Sequence, residues 1–230
     1  MKRLIALLVC CSLLCIPVRA SEERLVALTF DDGPSGKYTR RLLEGLEERG
    51  IKATFFLCGY RIKQFPELTE RICREGHEIG LHGYSHKFMQ NMSETAVMQE
   101  FQKTMDLLPA DCKVSFLRPP GGLCGKNVLT VAEKMDLGVV LWSVDPKDWE
   151  EHSIRKIVKD VVSIAQDGDV ILLHDMYDSS IEAAFAIIDT LRTQGFRFVT
   201  VSELAQARDV AVLPGKRYAR FCEPDPQEKK

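Results

Sequence analysis

The chain has 230 residues, 28% of them charged, with a formal net charge of −2. Met1–Ala20 has the make-up of an export leader: Lys2 and Arg3, an apolar run from Leu4 to Ile16, then Val18-Arg19-Ala20 where a signal peptidase reads small residues. Setting it aside leaves 210 residues (230 − 20), with 28 basic side chains (31 − 3) against 33 acidic ones, a net charge of −5 that argues against nucleic acid as a partner.

The apolar run of 13 residues is short for a membrane span, so a cleaved leader is expected, with retention as an anchor the minority alternative. Neither Cys10 nor Cys15 follows a small residue, as a lipoprotein cleavage site requires. The expected location is secreted or attached to the cell envelope. A mature chain of this length suits one α/β domain over 21–208, acting as a monomer, followed by a polar tail over 209–230 whose Pro214, Gly215, Pro224 and Pro226 suggest loose attachment. Five cysteines remain beyond the leader: Cys58, Cys73, Cys112, Cys124 and Cys222. They cannot all pair within one chain, and without a CxxC or a dense framework most read as small apolar residues or free thiols.

Along the chain, Leu25–Phe30 reads as a buried strand running into Asp31-Asp32-Gly33-Pro34, two carboxylates followed by turn formers. A helix is expected from Tyr38 to Arg49, stopped by Gly50, then a strand at Lys52–Leu57, a helix from Pro66 to Glu75 and a strand at Glu78–Leu81. Ser93 caps a helix reaching Leu108, and Val114–Leu117, Lys126–Met135 and Gly138–Trp142 follow as strand, helix and strand. Ser153 caps a helix to Ala165; then come a strand at Asp169–Leu173, a helix at Ser180–Gln194, a strand at Phe196–Thr200 and a short helix at Glu203–Ala207. Seven strands, each followed by a helix, imply parallel strands with right-handed crossovers, best met by a closed or nearly closed (β/α) barrel. The alternative, a doubly wound open sheet, finds no G-x-G-x-x-G after its first strand.

The chemistry-bearing residues fall just after strand ends, which in a parallel barrel share one face. Asp31 and Asp32 follow the first strand, His82-Gly83-Tyr84-Ser85-His86 the third, Arg118-Pro119-Pro120-Gly121-Gly122 the fourth, Asp145, Asp148 and Trp149 the fifth, and His174 the sixth. Each has a bland alternative: an exposed turn, core histidines, a bare loop, a buried tryptophan. Together they offer one carboxylate and two imidazoles as a metal set, with a second carboxylate and a separate histidine left over as base and acid. That is an inventory for hydrolysis.

In order, these segments resemble the five motifs of the polysaccharide deacetylases, carbohydrate esterase family 4 with the NodB homology domain. The resemblance implies a distorted (β/α) barrel of seven or eight strands and removal of N-acetyl or O-acetyl groups from glycans. It implies Asp31 as catalytic base, Asp32, His82 and His86 as ligands of a divalent metal, usually zinc (Zn2+) with cobalt (Co2+) as a substitute, and Arg118 as the arginine orienting the base. It further implies His174 as proton donor paired with Asp148, Trp149 and Leu172 as walls for the acetyl methyl, and the Gly121 N–H as oxyanion donor. Two positions depart from the family pattern: Gly83 stands where a Ser or Thr usually braces the loop, and Gly121 where an aromatic residue usually stands. An exported chain of this kind meets the cell wall first, so peptidoglycan N-acetylglucosamine is the expected substrate, with chitin oligosaccharides or an exopolysaccharide as alternatives. Relatives acting on muramic acid usually carry Asn where this chain has Asp32. A non-catalytic carbohydrate-binding protein and a metal-dependent barrel phosphoesterase are the rivals from other classes.

Overall fold

The computed structural model describes residues 23–222; the expected leader, the two residues after it and the last eight residues of the tail lie outside them. Strand β1 (Arg24–Asp31) is buried from Leu25 onward and pairs in parallel with three others. β6 (Asp169–His174) runs beside it from Val26 to Asp31, β2 (Thr54–Leu57) pairs with Thr29–Asp31, and β7 (Phe196–Val199) with Arg24–Ala27. From β2 the sheet continues through β3 (Glu78–Leu81), β4 (Val114–Leu117) and β5 (Gly138–Val140) to β8 (Arg217–Tyr218), every ladder parallel. The sheet curls back on itself. Just past β5, Val144 bridges in parallel to Ile171 of β6, and the Leu172 N–H donates to the Val144 carbonyl at 2.9 Å. This curled parallel sheet is the distorted barrel the alternation of elements predicts.

Eight helices accompany the strands among the described residues: α1 (Gly36–Glu48), α2 (Gly59–Gln64), α3 (Pro66–Arg74), α4 (Glu94–Met105), α5 (Lys126–Lys134), α6 (Ile154–Val162), α7 (Asp178–Thr193) and α8 (Val201–Ala207). The expected caps form: Ser93 accepts from the Ala96 N–H and Ser153 from that of Lys156. Thr200 and Glu203 make a capping box that starts α8 earlier than periodicity suggested. α2 is new relative to the sequence reading; six residues are too few to show a helical period.

Strand alternation sorts side chains into two layers. Val26, Leu28 and Phe30 of β1, with Phe55, Leu57, Ile171 and Leu173, face outward and pack with Leu42, Leu46, Ile187 and Leu191 of α1 and α7. Each such fully buried side chain stabilises the fold by roughly 1.5–3 kcal/mol. Leu25, Ala27, Phe56, Phe116, Val140, Val170 and Val199 form the inner cluster.

The cysteine expectation holds for three of the five, with one pair now identified, and the expectation of a loose tail is corrected. Cys73 and Cys112 form a disulfide with a Cα–Cα separation of 5.9 Å, while Cys58, Cys124 and Cys222 are free. The partners stand 39 residues apart, a spacing with no signature; the end of α3 and the approach to β4 bring them together. Nor is the tail loose as far as Cys222. β8 adds to β5, Arg220 pairs with Asp169 at 2.6 Å, and Phe221 is fully buried in the inner cluster, stacked with Tyr218. A single buried phenyl ring outweighs the polar composition around it.

Candidate active site

The inner alternation of β1 runs Leu25, Ala27, Thr29, Asp31, so the carboxylate ends an inward row. Register then places Asp31 directly beside His174 of β6. Inward rows on the other strands lead in the same way to His82, Arg118 and Leu172. Past the end of β1 the backbone turns sharply: Asp32 has φ +74° and the Gly33–Pro34 bond is cis. The left-handed conformation is uncommon for a residue with a side chain and swings Asp32 back toward the histidines.

Asp32 Oδ1 lies 3.2 Å from His82 Nε2 and 2.9 Å from His86 Nε2, and the three potential ligand atoms all fall within 4.8 Å of one another. His82 Nδ1 sits 2.8 Å from the Arg118 carbonyl. A carbonyl only accepts, so Nδ1 carries the proton and the Nε2 lone pair faces Asp32. Asp32 Oδ1 is buried with no well-formed hydrogen bond of its own. A carboxylate oxygen without a donor, met by an imidazole lone pair and a second ring nitrogen, fits a divalent cation such as zinc or cobalt.

Arg118 is the largest fully buried side chain. Its guanidinium donates from Nη1 to Asp31 Oδ1 at 2.7 Å and to Thr29 Oγ1 at 2.9 Å, from Nε to the Val140 carbonyl and from Nη2 to the Leu141 carbonyl. Its plane lies 4.0 Å over the Phe56 ring. With Oδ1 held in this way, Asp31 Oδ2 is turned toward the histidines, 3.7 Å from His82 Nε2.

Asp148, fully buried, accepts from the His174 backbone N–H on Oδ2 at 2.9 Å and from His174 Nδ1 on Oδ1 at 2.8 Å, which leaves Nε2 as the outward nitrogen. Burial works against a charged imidazole here. The Asp148 hydrogen bond and charge, with the charges of Asp31 and Asp32, outweigh it and push His174 up to about 9.

The remaining candidates are less tightly gathered. Gly121 lies in a 3-10 turn at Pro120–Gly122 with φ +65°. Leu172 is buried, whereas Trp149 stands 50% exposed at the rim. Asp145 takes no part in the cluster; it accepts from the Lys147 N–H in its own turn.

Three neighbours escaped the sequence reading. Phe88 is 61% exposed, tilted against His86 with ring centroids 6.5 Å apart, and lies 3.0 Å from where a Cβ on Gly121 would be. No sequence signal marks it. Asp175 is fully buried behind the Asp32–Pro34 turn, where it accepts from the Thr39 hydroxyl and where a Cβ on Gly33 would meet its carboxylate at 2.6 Å. Burial pushes it up to about 7. Glu100 hydrogen-bonds the loop between the two histidines. Its signal was readable, because it shares a helix face with the buried Val97 and Thr104, an unusual place for a charge.

A sequence model described as polysaccharide deacetylase matches residues 19–140. The peptidoglycan-N-acetylmuramic acid deacetylase PdaC of Bacillus subtilis is 38% identical over 189 residues, covering 81% of this chain and 40% of PdaC, so the chain spans well under half of that relative. A peptidoglycan-N-acetylglucosamine deacetylase of Bacillus cereus is 37% identical over 190 residues, covering 80% of this chain and 89% of its own. Among solved structures, a family 4 acetyl xylan esterase of Clostridium thermocellum, in complex with cobalt, superposes with a TM-score of 0.80 at 32% identity, covering 86% of this chain and 98% of that one. A mutant described as a CE4 family pseudoenzyme superposes at 0.75 and 29% identity, covering 86% and 70%.

Proposed function

Because the chain belongs to the polysaccharide deacetylase family, carbohydrate esterase family 4, we propose that it hydrolyses N-acetyl groups of an acetylated glycan, with the N-acetylglucosamine of peptidoglycan as its substrate. The observation that carries this reading is the juxtaposition of two pairs, Asp31 with Arg118 and His174 with Asp148, beside the convergent Asp32, His82 and His86. Asp32, His82 and His86 would hold the divalent cation. When bound, it supplies Lewis-acid polarisation of the acetamide carbonyl and a lowered pKa for water.

This chain's own residues supply the rest. Arg118 occupies Asp31 Oδ1, so Oδ2 is the oxygen that takes a proton from the attacking water. The Gly121 N–H is assigned to the developing oxyanion. His174, charged at neutral pH and anchored through Nδ1, delivers its Nε2 proton to the departing sugar amine, giving acetate and a free amino sugar. Leu172 and Trp149 flank the acetyl methyl, and Phe88 supplies an apolar surface over Gly121 where the family pattern places an aromatic side chain.

Within peptidoglycan the sugar lies between the two that the relatives' names offer, N-acetylglucosamine and N-acetylmuramic acid. N-acetylglucosamine has a free hydroxyl beside the acetamide, which needs less room beneath Phe88 than the lactyl ether of N-acetylmuramic acid. Action at the cell envelope after export follows from the same reading. Purified protein should release acetate from peptidoglycan fragments, leaving glucosamine residues visible by mass spectrometry after muramidase digestion. Chelation should abolish the release and zinc or cobalt restore it. Full activity in metal-free protein would overturn the mechanism. Acetate from chitin oligomers alone would move the substrate outside the wall, and glycan binding with no acetate from any substrate would place the chain with the non-catalytic members of the family.

A further inference from the structure

We propose that Glu100 is a positioning residue for the metal site, acting through the loop that separates the two histidines; the proposal rests on the metal reading above. Its carboxylate does not touch the three ligand side chains. Oε2 accepts from the backbone N–H groups of Tyr84 at 2.9 Å and Ser85 at 2.7 Å, and both oxygens lie 2.9 Å from the Ser85 hydroxyl. Successive N–H groups closing on one anion form a concave donor nest, and here the anion comes from a helix rather than from solvent.

The loop needs outside support for two reasons. Gly83, with φ +81°, has no side chain that could tie the loop down. His86 adopts φ +58°, a conformation that persists in a residue with a Cβ only where its surroundings impose it. The opposite edge of the loop is held by the start of α2: the Gly59 N–H donates to the Gly83 carbonyl and the Tyr60 N–H to the Tyr84 carbonyl, each at 3.0 Å. Carbonyls are thus fixed from one side and N–H groups from the other. Among the described residues Glu100 is the only acidic group that accepts from those N–H groups, and its helix is anchored in turn by the buried Val97, Phe101 and Thr104. The bracing that a hydroxyl at position 83 would give locally is supplied from α4.

A merely structural tie and a positioning role differ in what they change. The first lowers the melting temperature of metal-free protein and leaves the zinc dissociation constant alone. The second changes that constant, because cation binding must then order the loop itself. Zinc dissociation constants are to be measured by competition with a chromophoric chelator, without substrate, for the wild type, Glu100→Ala, Glu100→Gln, Ser85→Ala and His86→Ala. The expected result is zinc binding weakened about ten- to a hundredfold in Glu100→Ala, the scale for removing a ligand's supporting partner. Glu100→Gln, which keeps one acceptor oxygen, should fall between, and Ser85→Ala, which leaves both N–H contacts, should lose least. Should Glu100→Ala not fold, Glu100→Gln decides the matter. Unchanged zinc affinity in the folded Glu100 variants, with affinity lost in His86→Ala, overturns the role of Glu100 alone. Unchanged affinity in His86→Ala as well overturns the metal reading beneath it.

Discussion

Asp148→Asn isolates the electrostatic device that charges His174, the proton donor proposed above. The substitution keeps shape and volume but leaves one acceptor oxygen for two donors, the His174 N–H and Nδ1–H, and puts an NH2 group against one of them. His174 stands near 9 against an ordinary 6.5, about 2.5 units, or roughly 3 kcal/mol in favour of the charged form. The hydrogen bond and charge of Asp148 do the most to raise it, with the charges of Asp31 and Asp32 adding to them. Without Asp148, burial dominates and His174 falls to 6.5 or below. At pH 7.5 the protonated fraction would then drop from nearly all to at most about one tenth, a tenfold loss from titration alone, before the cost of a misplaced tautomer. The alkaline limb of the kcat/KM profile should move from near pH 9 to below neutrality, and NMR titration of the ring proton should follow it. Stability should respond with a definite sign. A raised histidine stabilises the fold fully below pH 6.5 and ceases to do so as pH rises through about 9, so the wild type should lose about 3 kcal/mol over that window relative to the variant. An alkaline limb unmoved by the substitution would refute the assignment of His174 as the acid charged by Asp148.

Asp31→Asn should retain zinc and lose on the order of a hundredfold or more in kcat; normal turnover would remove Asp31 as the base. Arg118→Met leaves a buried carboxylate without its partner and should destabilise the protein by about 3–5 kcal/mol in urea denaturation. Phe88→Ala should raise KM for glycan fragments while leaving kcat near the wild-type value, because the ring stands beside the reacting groups rather than among them; equal KM values would discard its contact with sugar. Gly33→Ala should disturb turnover with no charge altered, since its Cβ would press on the Asp175 carboxylate at 2.6 Å behind the Asp32 turn.

The succession of parallel strands and the cluster of Asp31, Asp32, His82, Arg118 and His174 were legible because parallel strands buried on both faces read as apolar runs, and the groups at their ends converge wherever the strands do. What escaped depended on contacts between distant segments. Cys73 meets Cys112 only because α3 and the approach to β4 come together, and Phe221 declares itself only once the inner cluster has a place for it. Gly121 taught a different lesson. The sequence shows the aromatic side chain missing there, yet Phe88, 33 positions earlier, overhangs the gap. The same glycine has φ +65°, so a proline at that position, locked near −65°, would break the turn and could not isolate the loss of one N–H.

Phe221 gives the molecule an order of assembly. The groups assigned to the reaction above all lie between Asp31 and His174, at the C-terminal ends of strands that a ribosome delivers early, whereas the opposite end of the barrel is filled by Leu25, Val199, α8 and the ring of Phe221. A nascent chain can therefore present every reactive side chain while its interior is still open to water from below. If the chain crosses a membrane unfolded, the sheet stays unsealed until residues near 221 have followed it through, and Asp32, His82 and His86 are held in final register only on the far side.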